Sequence, residues 1–290
     1  MKIDSHQHFW NYNTREYSWM KDGMEILQRD YLPQELAEVQ AEIGFDGSVA
    51  VQARMTLDET RWLLALAAEH EAIKGVVGYV DLLSPEAGDQ IDEFKGSPKC
   101  VGMRHVVHDE PDDEFMLRDD FLNGLDELSR RDLAYDLLLF EKHLPVAIQV
   151  VSRFPDLRFV VDHISKPLIR ESILSPWDDH ISELARFENV TCKLSGMVTE
   201  AGWERWTPDD LEPYLNVVLE AFGPDRLMIG SDWPVCLVAG SYGSVMNLVV
   251  DFIRRLSSDE QARVLGGTCC EVYRLLDASG RSRGNAWART

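Results

Sequence analysis

Apolar positions along this chain fall into two alternating patterns. Short runs that are apolar almost throughout, such as Gly75-Val76-Val77-Gly78-Tyr79-Val80 and Phe159-Val160-Val161, alternate with longer stretches in which apolar residues return at helical spacing. The first pattern suits parallel strands covered on both faces. The second suits helices with one buried stripe, as in 56–70, where Leu57, Trp62, Leu63, Leu66 and Ala67 share a side. Strands are expected at 2–9, 47–54, 73–83, 100–107, 133–140, 158–163, 190–194 and 227–231. Helices are expected from Leu32-Pro33 onward, where proline suits the first turn, and at 56–70, 84–95, 118–130, 141–153, 176–187, 207–222 and 242–256. A closing helix is expected over 258–276, with Asp259 and Glu260 favouring its start.

Eight strand–helix units in one chain predict an α/β fold, a (β/α)8 TIM barrel forming a single domain over 1–276. The polar stretch 277–290 reads as a flexible C-terminal tail. A doubly wound sheet is the competing architecture, but it calls for a glycine-rich phosphate turn after the first strand, and no glycine precedes Gly23. The segment 11–30 is long for a loop and carries Tyr12, Tyr17, Trp19 and Met20, so it is expected to pack over one barrel mouth as a partial lid.

A net charge of −21 without a basic stripe argues against nucleic acid and against an anionic membrane surface. No apolar run approaches the ~20 residues of a spanning helix. The N-terminus lacks a secretory layout, and the five cysteines form no C-x-x-C, so a cytoplasmic protein is expected. The expected partner is a small-molecule substrate; oligomeric state stays open.

Working residues of such a barrel lie at the carboxyl ends of its strands. Those ends carry His6 and His8, Gln52 and Arg54, Asp81, Arg104 with His105 and His108, His163, Lys193 and Ser195, and Asp232. Five of the eight histidines fall in this set. His6 and His8, two apart on a strand, face the same way and can grip a metal or a carbonyl oxygen. Bland readings stand beside these: His163 as a core histidine, Asp232 as a turn cap, Arg104 as a structural salt bridge. Parity separates Arg104 from His105, while His143 and His180 fall in helices and are expected on the surface.

Asp4-Ser5-His6-Gln7-His8-Phe9-Trp10, Gly102-Met103-Arg104-His105, Val161-Asp162-His163-Ile164-Ser165-Lys166-Pro167, Cys192-Lys193-Leu194-Ser195-Gly196 and Gly230-Ser231-Asp232-Trp233-Pro234 together resemble the sugar-lactonase branch of the amidohydrolase superfamily. That resemblance implies a metal-dependent-hydrolase type of barrel that opens the ring ester of a sugar-acid lactone, such as L-fucono- or L-rhamnono-lactone. It implies Asp232, His163 and Arg104 as catalytic residues, with Asp232 the general base. His6, His8, His163 and Asp232 match the positions that can bind one divalent ion, zinc first, an ion some members of the branch dispense with. The carboxylated lysine of binuclear relatives has no counterpart in Arg104-His105 or Leu137-Leu138-Leu139, which argues against two metals. Gln52, Arg54, His108 and Lys193 are candidate partners for substrate hydroxyls, and Trp19 and Trp203 (with Trp206 and Trp233 as further choices) for a sugar face. A muconolactone-type hydrolase, a decarboxylase on the same barrel and a non-catalytic sugar-acid binder are the alternatives.

Overall fold

The computed structural model of the protein describes residues 1–275. The expected tail and the last residue of the expected domain lie outside the described residues. Eight strands run in chain order around one sheet: β1 (Ile3–Gln7), β2 (Gly47–Val51), β3 (Ile73–Gly78), β4 (Cys100–His105), β5 (Ala134–Leu137), β6 (Phe159–Val161), β7 (Val190–Leu194) and β8 (Leu227–Ile229). Every neighbouring pair is parallel. The ring closes just beyond β8, where Gln7 bridges Trp233, the Asp232 N–H donates to His6 O (2.8 Å) and the His8 N–H to Trp233 O (2.6 Å). This is the expected (β/α)8 barrel, and its seam coincides with the candidate site.

The helices that cover the sheet are α1 (Pro33–Ile43), α2 (Leu57–Glu69), α3 (Ala87–Lys95), α4 (Asp119–Arg130), α5 (Leu144–Arg153), α6 (Trp177–Leu184), the short α7 (Met197–Glu200), α8 (Pro208–Phe222) and α9 (Tyr242–Phe252). Their starts follow local chemistry. Pro33 occupies the first turn of α1, the Thr56 hydroxyl caps α2 by accepting the Glu59 N–H, and Thr207 and Asp210 form a reciprocal box at α8. The closing helix is broken into α10 (Ser258–Ala262), a π-helical stretch Arg263–Gly267 and α11 (Thr268–Val272), and its cap is Ser257. The break falls where the chain presses on the start of β1: a Cβ on Gly266 would lie 2.3 Å from the Met1 carbonyl oxygen. His143, expected on the surface, is buried instead; it sits in the turn before α5, where its Nδ1 accepts the Phe140 N–H (3.1 Å).

Most strands end earlier than the apolar runs suggested. The surplus residues form the loops at the carboxyl ends, which is where the site lies. One apolar cluster fills the space between sheet and helices. A second fills the barrel itself, with Ile3, Val49, Val51, Val77, Val101, Ala134, Val160 and Met228 meeting Cys269, Val272, Tyr273 and Leu275 of the closing segment. The segment 11–30 packs Tyr17 and Trp19 on Trp10, whose indole N–H donates to Arg29 O (2.8 Å).

Candidate active site

His6 and His8 face one another at the end of β1, with their Nε2 atoms 3.2 Å apart. The His8 Nδ1–H donates to the Val51 carbonyl (2.8 Å), which leaves a lone pair on its Nε2. His163 hydrogen-bonds through Nδ1 to Ser195 Oγ (2.9 Å), and its ring lies tilted by 56° at 4.4 Å from the His6 ring. Asp232 Oδ1 lies 3.3 Å from His8 Nε2, 3.8 Å from His6 Nε2 and 3.8 Å from His163 Nε2. Three imidazoles and one carboxylate, from opposite ends of the chain, thus meet at one point. All four are buried, Asp232 to 4% exposure.

Unusual backbone sets these groups. His163, Ile164, Ser165 and Lys166 are four successive left-handed residues, with φ of 54, 48, 59 and 47°. None is glycine, so each costs about 1–2 kcal/mol. The turn is closed by the Lys166 N–H donating to His163 O (2.8 Å) and pinned by the Trp177 indole N–H on Ile164 O (2.8 Å). Asp232 is left-handed too (φ 58°), in a loop held by Asp4, which accepts the Ser231 N–H (2.9 Å) and hydroxyl (2.6 Å). Strain of this kind persists where the surroundings enforce it, and functional sites are its usual location.

Beneath the imidazoles lies a buried ionic layer. Arg104 donates from Nη1 to Asp162 Oδ2 (2.9 Å) and from Nη2 to Gln52 O, and its Nη1 is 3.3 Å from His6 Nε2. Asp162 Oδ1 is 3.2 Å from His6 Nδ1 and 2.9 Å from Lys193 Nζ. Lys193 also bonds Asp136 (2.5 Å). Burial alone would raise Asp162, but Lys193, His6 and Arg104 outweigh it and hold the carboxyl well below its usual range. Burial likewise opposes ionisation of Asp232, yet His163 and His8 overcome it and lower its pKa. Burial pushes His6 and His163 well below the ordinary imidazole value, against the pull of Asp162 and Asp232 respectively. At neutral pH the site therefore presents an ionised Asp232 beside the neutral imidazoles of His6 and His163.

Of the residues singled out from the sequence, His6, His8, His163, Asp232 and Arg104 converge. Arg104 is at once the salt-bridge residue of its bland reading and a neighbour of His6. Lys193 points into the barrel beneath His6 and is fully buried. Arg54 is clamped by Glu59 and by Glu16 of the segment 11–30 (2.6 Å to Glu16), which makes it a strut between that segment and α2. Gln52 donates to Arg104 O (3.3 Å), while its Oε1 has no partner among the described residues. His108 stacks on Phe140 at 4.8 Å; burial pushes its pKa down to about 3, and its Nδ1 is buried without a partner among the described residues. His105 instead stacks on Phe115 in the helix layer and bonds Glu110 (2.7 Å). Asp81 caps its own turn, accepting the Leu83 N–H (3.1 Å). Trp19 is partly exposed beside Trp10, whereas Trp233 is buried against Tyr31. Trp203 and Trp206 line a cavity of about 560 Å³ with Arg170 and Arg205, on the loops after β6 and β7.

Asp162, Asp136, Lys166 and Tyr273 were not singled out from the sequence. Lys166 pairs with Glu200 (2.9 Å), and its charge reaches His163, Asp232 and His108. A signal for Asp136 existed: it is the lone charge in the run Leu133-Ala134-Tyr135-Asp136-Leu137-Leu138-Leu139.

His6, His8 and Asp232 also have the geometry of a metal site. Tetrahedral zinc bonds of about 2.1 Å place ligand atoms roughly 3.4 Å apart. The three donor atoms here are separated by 3.2, 3.3 and 3.8 Å. The free lone pair on His8 Nε2 satisfies the tautomer a ligand needs.

The sequence pattern of the amidohydrolase family matches residues 3–275. An L-fucono-1,5-lactonase of Burkholderia multivorans is 42% identical over 95% of this chain and 96% of its own length. An L-fucono-1,5-lactonase of Burkholderia ambifaria is 39% identical over 96% of this chain and 97% of its own. The crystal structure of an amidohydrolase from Burkholderia multivorans with bound zinc superposes with a TM-score of 0.92 at 42% identity, covering 95% of this chain and 99% of that one.

Proposed function

Because this chain belongs to the amidohydrolase family, we propose that it is a lactonase, a carboxylic-ester hydrolase that opens the ring ester of a sugar-acid lactone to the free acid. The observation that carries this reading is the convergence of an ionised Asp232 on three imidazoles, in a chain similar along its length to two L-fucono-1,5-lactonases. An L-configured 1,5-aldonolactone is accordingly the first substrate to try.

In this reading Asp232 takes a proton from water as the water oxygen attacks the lactone carbonyl carbon. The carbonyl oxygen becomes an oxyanion and meets the imidazole edges of His6 and His163, with the Arg104 guanidinium behind His6 adding positive charge. The ring C–O bond then breaks, and Asp232 returns the proton to the departing ring oxygen. His6, His8 and Asp232, with His163 beside them, would hold one divalent ion, and zinc is the first candidate on the strength of the zinc-bound relative. When bound, such an ion polarises the carbonyl and lowers the pKa of water toward about 7. Gln52 Oε1 is an unpaired acceptor for a sugar hydroxyl, His108 Nδ1 is a second unpaired polar atom, and Trp203 offers a flat apolar face.

Charge pairing favours a neutral substrate over the carboxylates a decarboxylase would take. Arg54 is matched by Glu59 and Glu16, Arg104 by Asp162, Lys166 by Glu200, and Lys193 by Asp136 and Asp162. An anionic substrate held by any of these four side chains would have to compete with its carboxylate partner. The deciding experiment is proton release, read with a pH indicator, over a panel of aldonolactones, run beside CO2 release from aromatic acids. Acid formed from at least one aldonolactone supports the reading; CO2 without acid from any lactone rejects it.

A further inference from the structure

The chain closes the bottom of its barrel with the segment after α11, and Tyr273 of that segment reaches the interior. Its hydroxyl lies 2.8 and 2.7 Å from the two oxygens of Asp136 on β5. Asp136 in turn holds the Lys193 ammonium of β7 at 2.5 Å. That ammonium is 2.9 Å from Asp162 Oδ1 and 3.2 Å from His6 Nδ1. Asp136, Asp162, Lys193 and His6 are wholly buried, and Tyr273 is 1% exposed. A continuous line of polar contacts therefore joins the closed end of the barrel to the first histidine of the mouth.

We propose that Tyr273, Asp136 and Lys193 are positioning residues that hold the His6 imidazole in its working orientation. The count of donors and charges supports this. Two of the Lys193 N–H groups are taken by Asp136 and Asp162, and the ammonium lies 3.2 Å from His6 Nδ1. Two cations, Arg104 and Lys193, balance two carboxylates, Asp136 and Asp162, so the layer is neutral as a whole. Tyr273 adds an O–H donor to Asp136 and lays its ring 5.4 Å from the ammonium. If Asp136 slackens, Lys193 is drawn wholly onto Asp162, the carboxylate that His6 Nδ1 also contacts. Lys193 then competes more strongly for the Asp162 oxygen that contacts His6 Nδ1 and fixes the plane of the ring. A buried ionic layer is a weak way to stabilise a barrel, since apolar residues of similar volume serve at least as well. Its contact with His6 gives it a reason to be there.

This inference rests on the lactonase reading for the activity it supports, but its main readout is independent of turnover. The full-length protein, with 15N-labelled histidine, is examined by NMR for the ring nitrogens of His6, assigned by its loss in His6→Ala. Tyr273→Phe and Asp136→Asn are expected to shift and broaden the His6 signals while those of His180, far along α6, stay put. The same variants are expected to lower kcat on the active lactone about tenfold with KM little changed. Lys193→Met removes a cation and is expected to disturb His6 more than the balanced pair Lys193→Met/Asp136→Asn. Unchanged His6 signals in folded Tyr273→Phe and Asp136→Asn overturn the proposal. Shifted His6 signals in a protein that turns over no lactone leave the positioning role standing and reject the substrate reading alone.

Discussion

Replacing Gly196 by alanine tests how tightly His163 is held. Gly196 is left-handed (φ 62°), and a Cβ there would lie 2.4 Å from His163 Nδ1 and 2.5 Å from its Cγ. Ordinary contact begins at 3.4 Å, so the ring must retreat by about 1 Å (3.4 − 2.4). The retreat stretches the 2.9 Å hydrogen bond between Ser195 Oγ and His163 Nδ1, a loss of about 1 kcal/mol. Alanine in the left-handed region adds about 1–2 kcal/mol. The sum, about 2–3 kcal/mol, corresponds to a Tm lower by roughly 5 °C for a chain of this size. The catalytic effect should be larger, because a 1 Å misplacement costs on the order of 100-fold in rate. Differential scanning calorimetry reads the first quantity and indicator-coupled lactone hydrolysis the second. A folded Gly196→Ala protein with kcat/KM within about threefold of wild type would refute the claim that His163 must sit where it does.

Asp232 is held below its usual pKa of 3.8 by His163 and His8 against the effect of burial; since the base works deprotonated, kcat/KM should be level from neutral pH down to about 5 and fall only below about 4. A midpoint near 6 would point to a histidine as the base. Glu59 is buried and accepts the Ala53 and Arg54 N–H groups as well as the Arg54 side chain. Glu59→Gln should therefore lower stability by about 2 kcal/mol, whereas Glu16→Gln, which loses an exposed partner of the same arginine, should change it by under about 0.5 kcal/mol. Equal losses in thermal unfolding would contradict the assignment of Arg54 as a strut. Isothermal titration with Zn²⁺ should give one site, weakened at least about tenfold in His8→Ala; an unchanged isotherm would move the ion elsewhere.

How much of this was legible in the chain differs by element. The apolar runs located all eight strands because buried parallel strands leave a continuous signature. His6, His8, His163 and Asp232 could be read because strand ends of such barrels collect the working groups. The ionic layer was harder to see. Lys193 is the penultimate residue of β7, and its place near the strand end does not say which of two faces its side chain takes; Asp136 and Tyr273 are 137 residues apart and meet only because the closing segment plugs the barrel. Arg54 has the composition of a substrate residue, and only the placement of Glu16 and Glu59 shows what holds it. The left-handed turn at His163–Lys166 carries no glycine to announce it. The closing helix looked continuous because its helical spacing runs through a bend enforced by contact with Met1, far away in sequence.

The central claim is that the carboxylate at 232 activates the water that opens the lactone, and the direct measurement is the hydrolysis rate of Asp232→Asn on the active aldonolactone at pH 7. Asparagine keeps the shape but cannot take the proton, so kcat should fall by about 10²–10⁴-fold with the protein still folded. A folded Asp232→Asn enzyme that retains near-wild-type kcat would contradict the account.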